Sequence, residues 1–195
     1  READICIIGA GYTGLWTAYY LKKADPRLKI IVLEREFAGF GASGRNGGWL
    51  SGSFGWSRER YLKSTSRAAV VDMQRHMAGT VDEVIRVANL EGIDADIVRA
   101  DNLMLATSEA QMHRARAQVD LYRAWEMPAE RVSVLSAKDA RARIDIAGVQ
   151  GGFVIRDMAR VQPAKLVQGL ARVVEALGVE IYEGTCVERI SPGEV

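Results

Sequence analysis

Three glycines at fixed spacing place the strongest constraint on this chain. Gly9, Gly11 and Gly14 form a G-x-G-x-x-G motif between an apolar run at 4–8 and a helical stretch at about 13–24. In this setting the first glycine permits a tight turn, the second lets the backbone approach a pyrophosphate, and the third lets the helix pack closely on the strand. The helix N-terminus then faces the anion. The motif therefore predicts a dinucleotide-binding site.

The residues that follow complete a βαβ unit. An Asp-Pro pair ends the first helix, and residues 29–33 form a second strand that is rich in β-branched side chains. Because such units have parallel strands, we expect the two strands to be neighbours and the strand at 179–182 to lie outside the second. Glu34 ends the second strand 20 residues after Gly14, where an acidic side chain can accept hydrogen bonds from a ribose.

A second glycine-rich segment covers residues 39–55, where seven of seventeen residues are glycine. Ordering such a segment costs much conformational entropy, so we expect a ligand or a packing partner to hold it. A flexible linker is the alternative interpretation, although Arg45, Asn46 and Trp49 are not typical linker residues. A nicotinamide dehydrogenase would continue with another βα repeat here, whereas this loop can place backbone N–H groups against phosphates and a flavin.

The rest of the chain mixes helices with strands. We expect helices over 58–89 with a break near Gly79, over 109–125, after a capping box at Ser136 and Asp139, and over 163–177, and strands over 97–107, 150–155, 179–182 and 185–190. The βα rhythm stops near residue 94 and resumes at residue 163. The pattern predicts a dinucleotide-binding domain in two segments, 1–94 and 157–195, with a separate sheet over 95–156.

Composition excludes several classes of protein. The 26 basic and 25 acidic residues are balanced and scattered, which argues against a nucleic-acid partner. The cysteines Cys6 and Cys186 and the isolated histidines His76 and His113 are too few for a disulfide scaffold or a metal site, and Cys6 is expected to be buried. Residues 5–21 carry no charge but are too short for a membrane helix. We therefore expect a cytoplasmic protein with no membrane partner.

One resemblance is specific. The segment GASGRNGG at 41–48, with GAGYTGLWTAYYL and VLERE before it, resembles the N-terminal part of the FAD-dependent glycine/D-amino-acid oxidase (DAO) family, in the branch that includes gamma-glutamylputrescine oxidoreductase. The stretch VQPAKLVQGLARVVEALGVEIYEGTCVERI is similar to that family's next segment. The resemblance implies FAD as the cofactor. It also implies an α/β, FAD/NAD(P)-binding Rossmann-like three-layer domain, with the first strands of a separate substrate-domain sheet.

The resemblance further implies which residues bind the cofactor. By the part of FAD that each would contact, they are Gly9, Gly11, Tyr12, Thr13 and Gly14 at the pyrophosphate, Glu34 at the adenosine ribose, Arg35 beside the adenine, Ala42, Ser43 and Gly44 at the phosphates and ribityl chain, Asn46, Gly47 and Gly48 at the isoalloxazine, and the backbone of Val187 at the adenine edge. For Arg45 a phosphate contact and a structural salt bridge are both open.

The family oxidises the C–N bond of an amine or amino acid by hydride transfer to flavin N5, which requires neither a metal nor a catalytic triad. Two alternatives stay open: an NAD(P)-dependent dehydrogenase, and a dinucleotide-binding module without turnover. The resemblance covers only the family's N-terminal part, so we expect the rest of a longer protein to be absent and the catalytic residues to lie beyond this chain. Alone, the chain is expected to be inactive, to bind FAD weakly and to self-associate through its 95–156 strands.

Overall fold

A computed structural model describes residues 2–191 of the chain, and these form two compact units. The first unit contains residues 2–49, 84–97 and 161–191, and the second contains residues 50–83 and 98–160. The elements in chain order are β1 (Ile5–Ile8), α1 (Tyr12–Ala24), β2 (Ile30–Leu33), α2 (Ala42–Arg45), β3 (Trp49–Leu50), α3 (Arg58–Leu62), α4 (Arg67–Leu90), β4 (Val98–Ala106), α5 (Glu109–Ala124), β5 (Val132–Ser136), α6 (Ala137–Arg141), β6 (Gly151–Arg160), α7 (Pro163–Ala176) and β7 (Glu180–Tyr182).

The first unit is built on a parallel sheet in the order β1-β2-β7. Ile5 lies opposite Ile30 in the β1–β2 pair, and Ile31 lies opposite Glu180 in the β2–β7 pair. This order confirms the predicted placement of the strand at 179–182 outside the second strand. Consecutive parallel strands therefore bring the carboxyl ends of β1 and β2, where the glycine motif and Glu34 lie, to the same edge of the sheet.

Helices α1 and α7 supply most of the core of the first unit. Leu15 and Tyr19 of α1, Val32 of β2, and Leu170 and Val174 of α7 are all 0–1% exposed. The apolar residues of α7 recur at helical spacing, and Pro163 at its first turn lacks an N–H that the helix would leave unpaired anyway. Burying this stripe fixes α7 against α1, with which it is in contact.

The other face of the parallel sheet is open within the part of the chain that the structure describes. Cys6 is exposed, and Ile8 is 50% exposed although it ends a strand of apolar residues. The prediction that Cys6 is buried is therefore wrong. Its side chain points to the face away from Ile5 and Ile7 because strand residues alternate, and β1 is also an edge strand.

The second unit contains a sheet in the order β3-β6-β4, with β5 also paired to β6, and the β4–β6 and β5–β6 pairs are antiparallel. Leu103 and Ser133 both lie opposite Val154, so the ten-residue strand β6 is central. Helix α5 packs on this sheet through Val119, which is fully buried against Phe153 and Ile155. Residues 97–107 thus leave the parallel sheet, as the sequence predicts.

The structure differs from the predicted elements in three places. Helix α4 is continuous through Gly79, because one exposed glycine costs a helix only about 1 kcal/mol. Residues 185–190 are not a strand, since the described residues provide no further strand beside β7. Strand β5 was not expected, and its short VSVLS pattern becomes a strand by pairing with β6.

The division of the chain also differs from the expected segments. Residues 50–83, expected with the dinucleotide-binding segment 1–94, cluster with the second sheet. The first half of α4 and the loop before it pack there, for example through Val70 and Val71 against Trp125. No helix within residues 2–191 is long and apolar enough to span a membrane.

Candidate functional site

The glycine motif forms the turn that the sequence predicts. Gly9 follows β1 with a φ of +96°, and its N–H donates to the Leu33 carbonyl over 2.8 Å. A Cβ on Gly14 would lie 2.0 Å from the Gly9 carbonyl oxygen and 3.2 Å from Cγ2 of Ile7. Only glycine allows α1 to start this close to β1, which is the packing role expected of the third motif glycine.

The first turn of α1 has backbone donors but no acidic side chain. Gly11 is the N-cap and provides no side-chain hydrogen bond. The Tyr12 N–H donates to Oγ of Ser43 over 2.9 Å, and Thr13 is exposed. The Tyr12 hydroxyl donates to the Pro163 carbonyl over 2.9 Å, and burial raises its pKa to about 12. Tyr12 thus ties the start of α1 to the start of α7, and the helix N-terminus favours an anion.

Glu34 lies at the carboxyl end of β2 with its carboxylate held by the backbone. The Ala10 N–H donates to Oε2 over 2.9 Å and the Glu36 N–H donates to Oε1 over 3.0 Å. A carboxylate has about four lone-pair sites, so each oxygen can still accept another hydrogen bond. Arg35, the next residue, is exposed and contacts Glu36 through Nε at 3.3 Å.

The segment GASGRNGG folds into the short helix α2 followed by a tight exit. Asn46 donates from Nδ2 to the carbonyls of Ala42 and Ser43, and its Oδ1 accepts from the Gly48 N–H over 2.8 Å. Gly48 is buried with a φ of +74°. The Asn46 side chain therefore both closes α2 and fixes the following turn.

Packing holds the same segment on α7. A Cβ on Gly44 would lie 2.3 Å from the Gly39 carbonyl oxygen, and one on Gly39 would lie 2.3 Å from Cγ1 of Val167. The Arg45 guanidinium stacks over the Phe40 ring at 4.1 Å and makes no salt bridge with any residue in the range 2–191. The segment is therefore ordered by the polypeptide, which decides against the linker interpretation.

These segments enclose an open cleft of about 420 Å³ within the first unit. Seven of the predicted cofactor residues line it: Gly9, Gly11, Glu34, Arg35, Ala42, Ser43 and Val187. The other eight do not: Tyr12, Thr13, Gly14, Gly44, Arg45, Asn46, Gly47 and Gly48. Of these, Tyr12, Gly14 and Asn46 shape the backbone around the cleft through the contacts described above.

The cleft also contains seven residues that were not predicted to contact the cofactor. They are Ile8, Leu33, Gly39, Phe40, Gly41, Thr185 and Cys186. Four of them, Ile8, Leu33, Gly41 and Cys186, directly adjoin a predicted cofactor residue, and the Thr185 N–H donates to the Glu34 carbonyl over 2.8 Å. Parallel-strand geometry could have found Ile8 and Leu33, because the last residue of each strand lies at the same edge as the motif.

Gly41 tests whether the cleft fits a ligand. Its φ of −73° is open to any residue, and a Cβ built on it would have no atom within 4 Å. Neither backbone strain nor packing within the described chain therefore accounts for a glycine at this position. A molecule that lies against the backbone of Gly41 would account for it, and the free acceptor sites of Glu34 and the donors of α1 suit a pyrophosphate with a ribose.

Comparison with known proteins gives a family for this arrangement. The family described as "FAD dependent oxidoreductase" (DAO) matches residues 4–195. The chain is 29% identical over 192 residues to gamma-glutamylputrescine oxidoreductase of Escherichia coli, with 96% of this chain and 43% of the relative covered. The chain therefore spans less than half the length of that relative.

Two solved structures share the fold. The glycine oxidase of Bacillus cereus superposes with a TM-score of 0.72 at 20% identity, covering all of this chain and 51% of the oxidase. An L-alpha-glycerophosphate oxidase from Mycoplasma pneumoniae, solved with FAD bound, superposes with a TM-score of 0.74 at 17% identity, covering 96% and 46% of the two chains. At these identities the likeness establishes the fold.

Proposed function

This chain belongs to the family of FAD-dependent oxidoreductases, and on that basis we propose that its cleft holds the ADP part of FAD in an enzyme that oxidises the C–N bond of an amine or amino acid. The observation that carries the proposal is the cleft itself. It brings the turn at Gly9, the carboxylate of Glu34, the hydroxyl of Ser43 and the backbone at Val187 into one space, although these residues lie far apart in the sequence.

Each part of the cleft has a chemical match in the ADP group. The turn after Gly9 presents backbone N–H groups at the start of α1, where a pyrophosphate would lie with Tyr12, Thr13 and Ser43 around it. Glu34 would accept hydrogen bonds from the two ribose hydroxyls while it keeps those from Ala10 and Glu36. Arg35 and the backbone of Val187 would flank the adenine.

The glycine-rich segment would hold the remainder of the cofactor. Ala42, Ser43 and Gly44 would contact the phosphates and ribityl chain, with Arg45 nearby, and the backbone of Asn46, Gly47 and Gly48 would approach the isoalloxazine. The internal hydrogen bonds of Asn46 fix that backbone before the cofactor arrives. Such preorganisation lowers the entropy lost on binding.

When bound, FAD supplies the hydride acceptor, and this chain supplies orientation. The amine or amino-acid substrate is supported by the names of two proteins to which the chain is similar, the gamma-glutamylputrescine oxidoreductase and the glycine oxidase. We also propose that the enzyme acts in the cytoplasm. A flavin is favoured over a nicotinamide because the family is flavin-dependent and, among the described residues, no strand between β2 and β7 joins the parallel sheet.

The visible spectrum of the purified full-length protein tests this function. We expect flavin absorption bands that are lost when an amine or amino acid is added without oxygen, and that return when air is admitted. NAD(P)H and a 2-hydroxy acid under the same conditions serve as controls for nicotinamide-linked and C–O chemistry. A protein without flavin bands would contradict the cofactor, and bands that no amine or amino acid bleaches would contradict the C–N substrate class.

A further inference from the structure

A second cavity, of about 310 Å³, lies within the second unit, and the proposed function does not use it. Aromatic and apolar side chains form most of its wall, including Phe54, Trp56, Tyr122 and Ile155, and the side chain of Arg58 enters among them. A cavity of this size is at the lower end of the range for small-molecule sites. The distinguishing feature of this cavity is how Arg58 is held within it.

The guanidinium of Arg58 is held in place by a buried neutral residue. Its Nε donates to Oε1 of Gln74 over 2.7 Å, and Nε2 of Gln74 donates to the Trp125 carbonyl over 3.0 Å. Gln74 is only 7% exposed, so the bond to Trp125 fixes which end of its amide faces Arg58. The arginine is thus oriented without a carboxylate.

The same guanidinium lies near two aromatic rings. Its Cζ is 5.5 Å from the centroid of Phe54 and 5.0 Å from that of Tyr122. Burial lowers the pKa of Arg58, which indicates that its charge is partly removed from water. Cation–π contacts offset only part of that cost, so the site favours a counter-ion.

The described residues place one negative charge near Arg58, that of Glu59, but form no direct ion pair with it. Glu59, which is exposed, also borders the cavity. Hydrogen bonds from its own N–H, and from the Ser57 and Trp125 side chains, lower the pKa of its carboxylate, and the charge of Arg58 adds to the same shift. Among residues 2–191, no carboxylate forms a salt bridge with Arg58, and its terminal nitrogens make no hydrogen bond. These nitrogens remain available for a bidentate contact.

We propose that this cavity binds a small apolar carboxylic acid, with Arg58 as the partner of its carboxylate. A monoanion matches the single charge of the guanidinium, whereas a phosphate dianion would leave one negative charge uncompensated beside Glu59. The apolar body of the acid would lie against Leu121, Met127 and Ile155. This site lies in the second unit, and its existence does not depend on the proposed function.

Calorimetric titration of the purified protein with hexanoate tests the site, with hexanamide as the uncharged probe. We expect saturable one-to-one binding of hexanoate and none of hexanamide at the same concentrations. Arg58→Met should weaken hexanoate binding about ten- to a hundredfold, because it removes the charged partner. Arg60→Met is the matched control: Arg60 lies on the same helix and stacks on Trp56, but it does not line the cavity, and binding should not change.

A second variant keeps the test decisive if Arg58→Met fails to fold. Leu121 is 41% exposed and borders the cavity without taking part in the Arg58–Gln74 hydrogen bonds, so Leu121→Trp should fill the space and abolish binding in a folded protein. Equal binding of hexanoate and hexanamide, wild-type affinity in either cavity variant, or no saturable binding to the folded wild type would overturn the proposal. Displacement of hexanoate by inorganic phosphate at matching concentration would overturn the assignment to a carboxylate.

Discussion

At the scale of single residues, the glycines in and beside the cleft include some that the fold needs and one, Gly41, that it does not. Gly9 has a positive φ and Gly14 touches the backbone of Gly9, so both are explained by the polypeptide. Gly41 has neither property, yet it lines the cleft. The sequence motif identified the first two, but only the structure distinguishes Gly41 from its neighbours in a segment where glycine is frequent.

We therefore expect Gly41→Ala to weaken FAD binding while the fold is kept. Its new methyl group would occupy space that we assign to the cofactor, and overpacking of this kind costs roughly 1–3 kcal/mol, or about five- to a hundredfold in affinity. Gly55→Ala is the matched control, because a Cβ there also meets no atom within 4 Å but lies outside the cleft. FAD titrations of the two variants in the full-length protein check this, and wild-type affinity in Gly41→Ala would contradict the placement of the cofactor.

At the scale of elements, one hydrogen bond joins α1 to the residue that follows α4. The hydroxyl of Tyr19, a residue only 1% exposed, donates to Oε1 of Glu91 over 2.7 Å, and Nζ of Lys23 lies 3.2 Å from the same oxygen. The bond from Tyr19, and then that from Lys23, lowers the pKa of Glu91 from its ordinary 4.5. The charged form of Glu91 therefore stabilises the first unit.

Removal of this hydroxyl should reveal a pH-dependent loss of stability. Tyr19→Phe should cost about 1–2 kcal/mol near neutral pH, because it deletes a hydrogen bond to a charged acceptor. A carboxylate with a lowered pKa in the folded state stabilises above its unfolded pKa, and this contribution is lost as pH falls through the folded value. Denaturant unfolding should thus show a difference between wild type and variant that shrinks below the ordinary pKa of 4.5. An equal difference at neutral and acid pH would contradict this account.

An element could be predicted from the sequence where the residues that determine it are close together in the chain. β1, α1 and β2 follow from apolar runs and glycine spacing within about 30 residues, and their parallel pairing was predicted correctly. β5 and the absence of a strand at 185–190 depend on partners: β5 has one in β6, whereas β7 has only β2 beside it among the described residues. The continuity of α4 at Gly79 reflects neighbouring turns that outweigh one poor helix former.

At the scale of the whole molecule, the family and the cofactor FAD are the predictions that the comparisons confirm. The roles of individual residues stay predictions. Seven of the predicted cofactor residues line one cleft, whereas others, including Gly47, Gly48 and Arg45, lie outside it. Spacing in a sequence can place a residue near a cofactor, but which atoms face the ligand depends on packing from α7, more than a hundred residues away.

The 195-residue chain by itself should bind FAD weakly and self-associate. It spans 43% of its Escherichia coli relative, and the face of its parallel sheet with Cys6 and Ile8 is open within residues 2–191. In the second unit, Val98 and Met104 are 48% and 41% exposed on β4, an edge strand that can pair with another chain. Flavin fluorescence during FAD titration and analytical ultracentrifugation measure the two properties. Stoichiometric binding at micromolar concentration to a monomer would contradict this prediction.

The most direct measurement of the central claim is the FAD affinity of the full-length protein with Glu34→Ala. Loss of the charged acceptor should cost roughly 1.5–3 kcal/mol, which weakens FAD binding by about one to two orders of magnitude. Glu36→Ala is the control, since Glu36 is exposed and lies outside the cleft, and among the described residues its side chain forms only a surface ion pair with Arg35. We predict that Glu36→Ala keeps wild-type affinity while Glu34→Ala loses it. Equal affinities in both variants, in folded protein, would show that the ribose does not bind at Glu34.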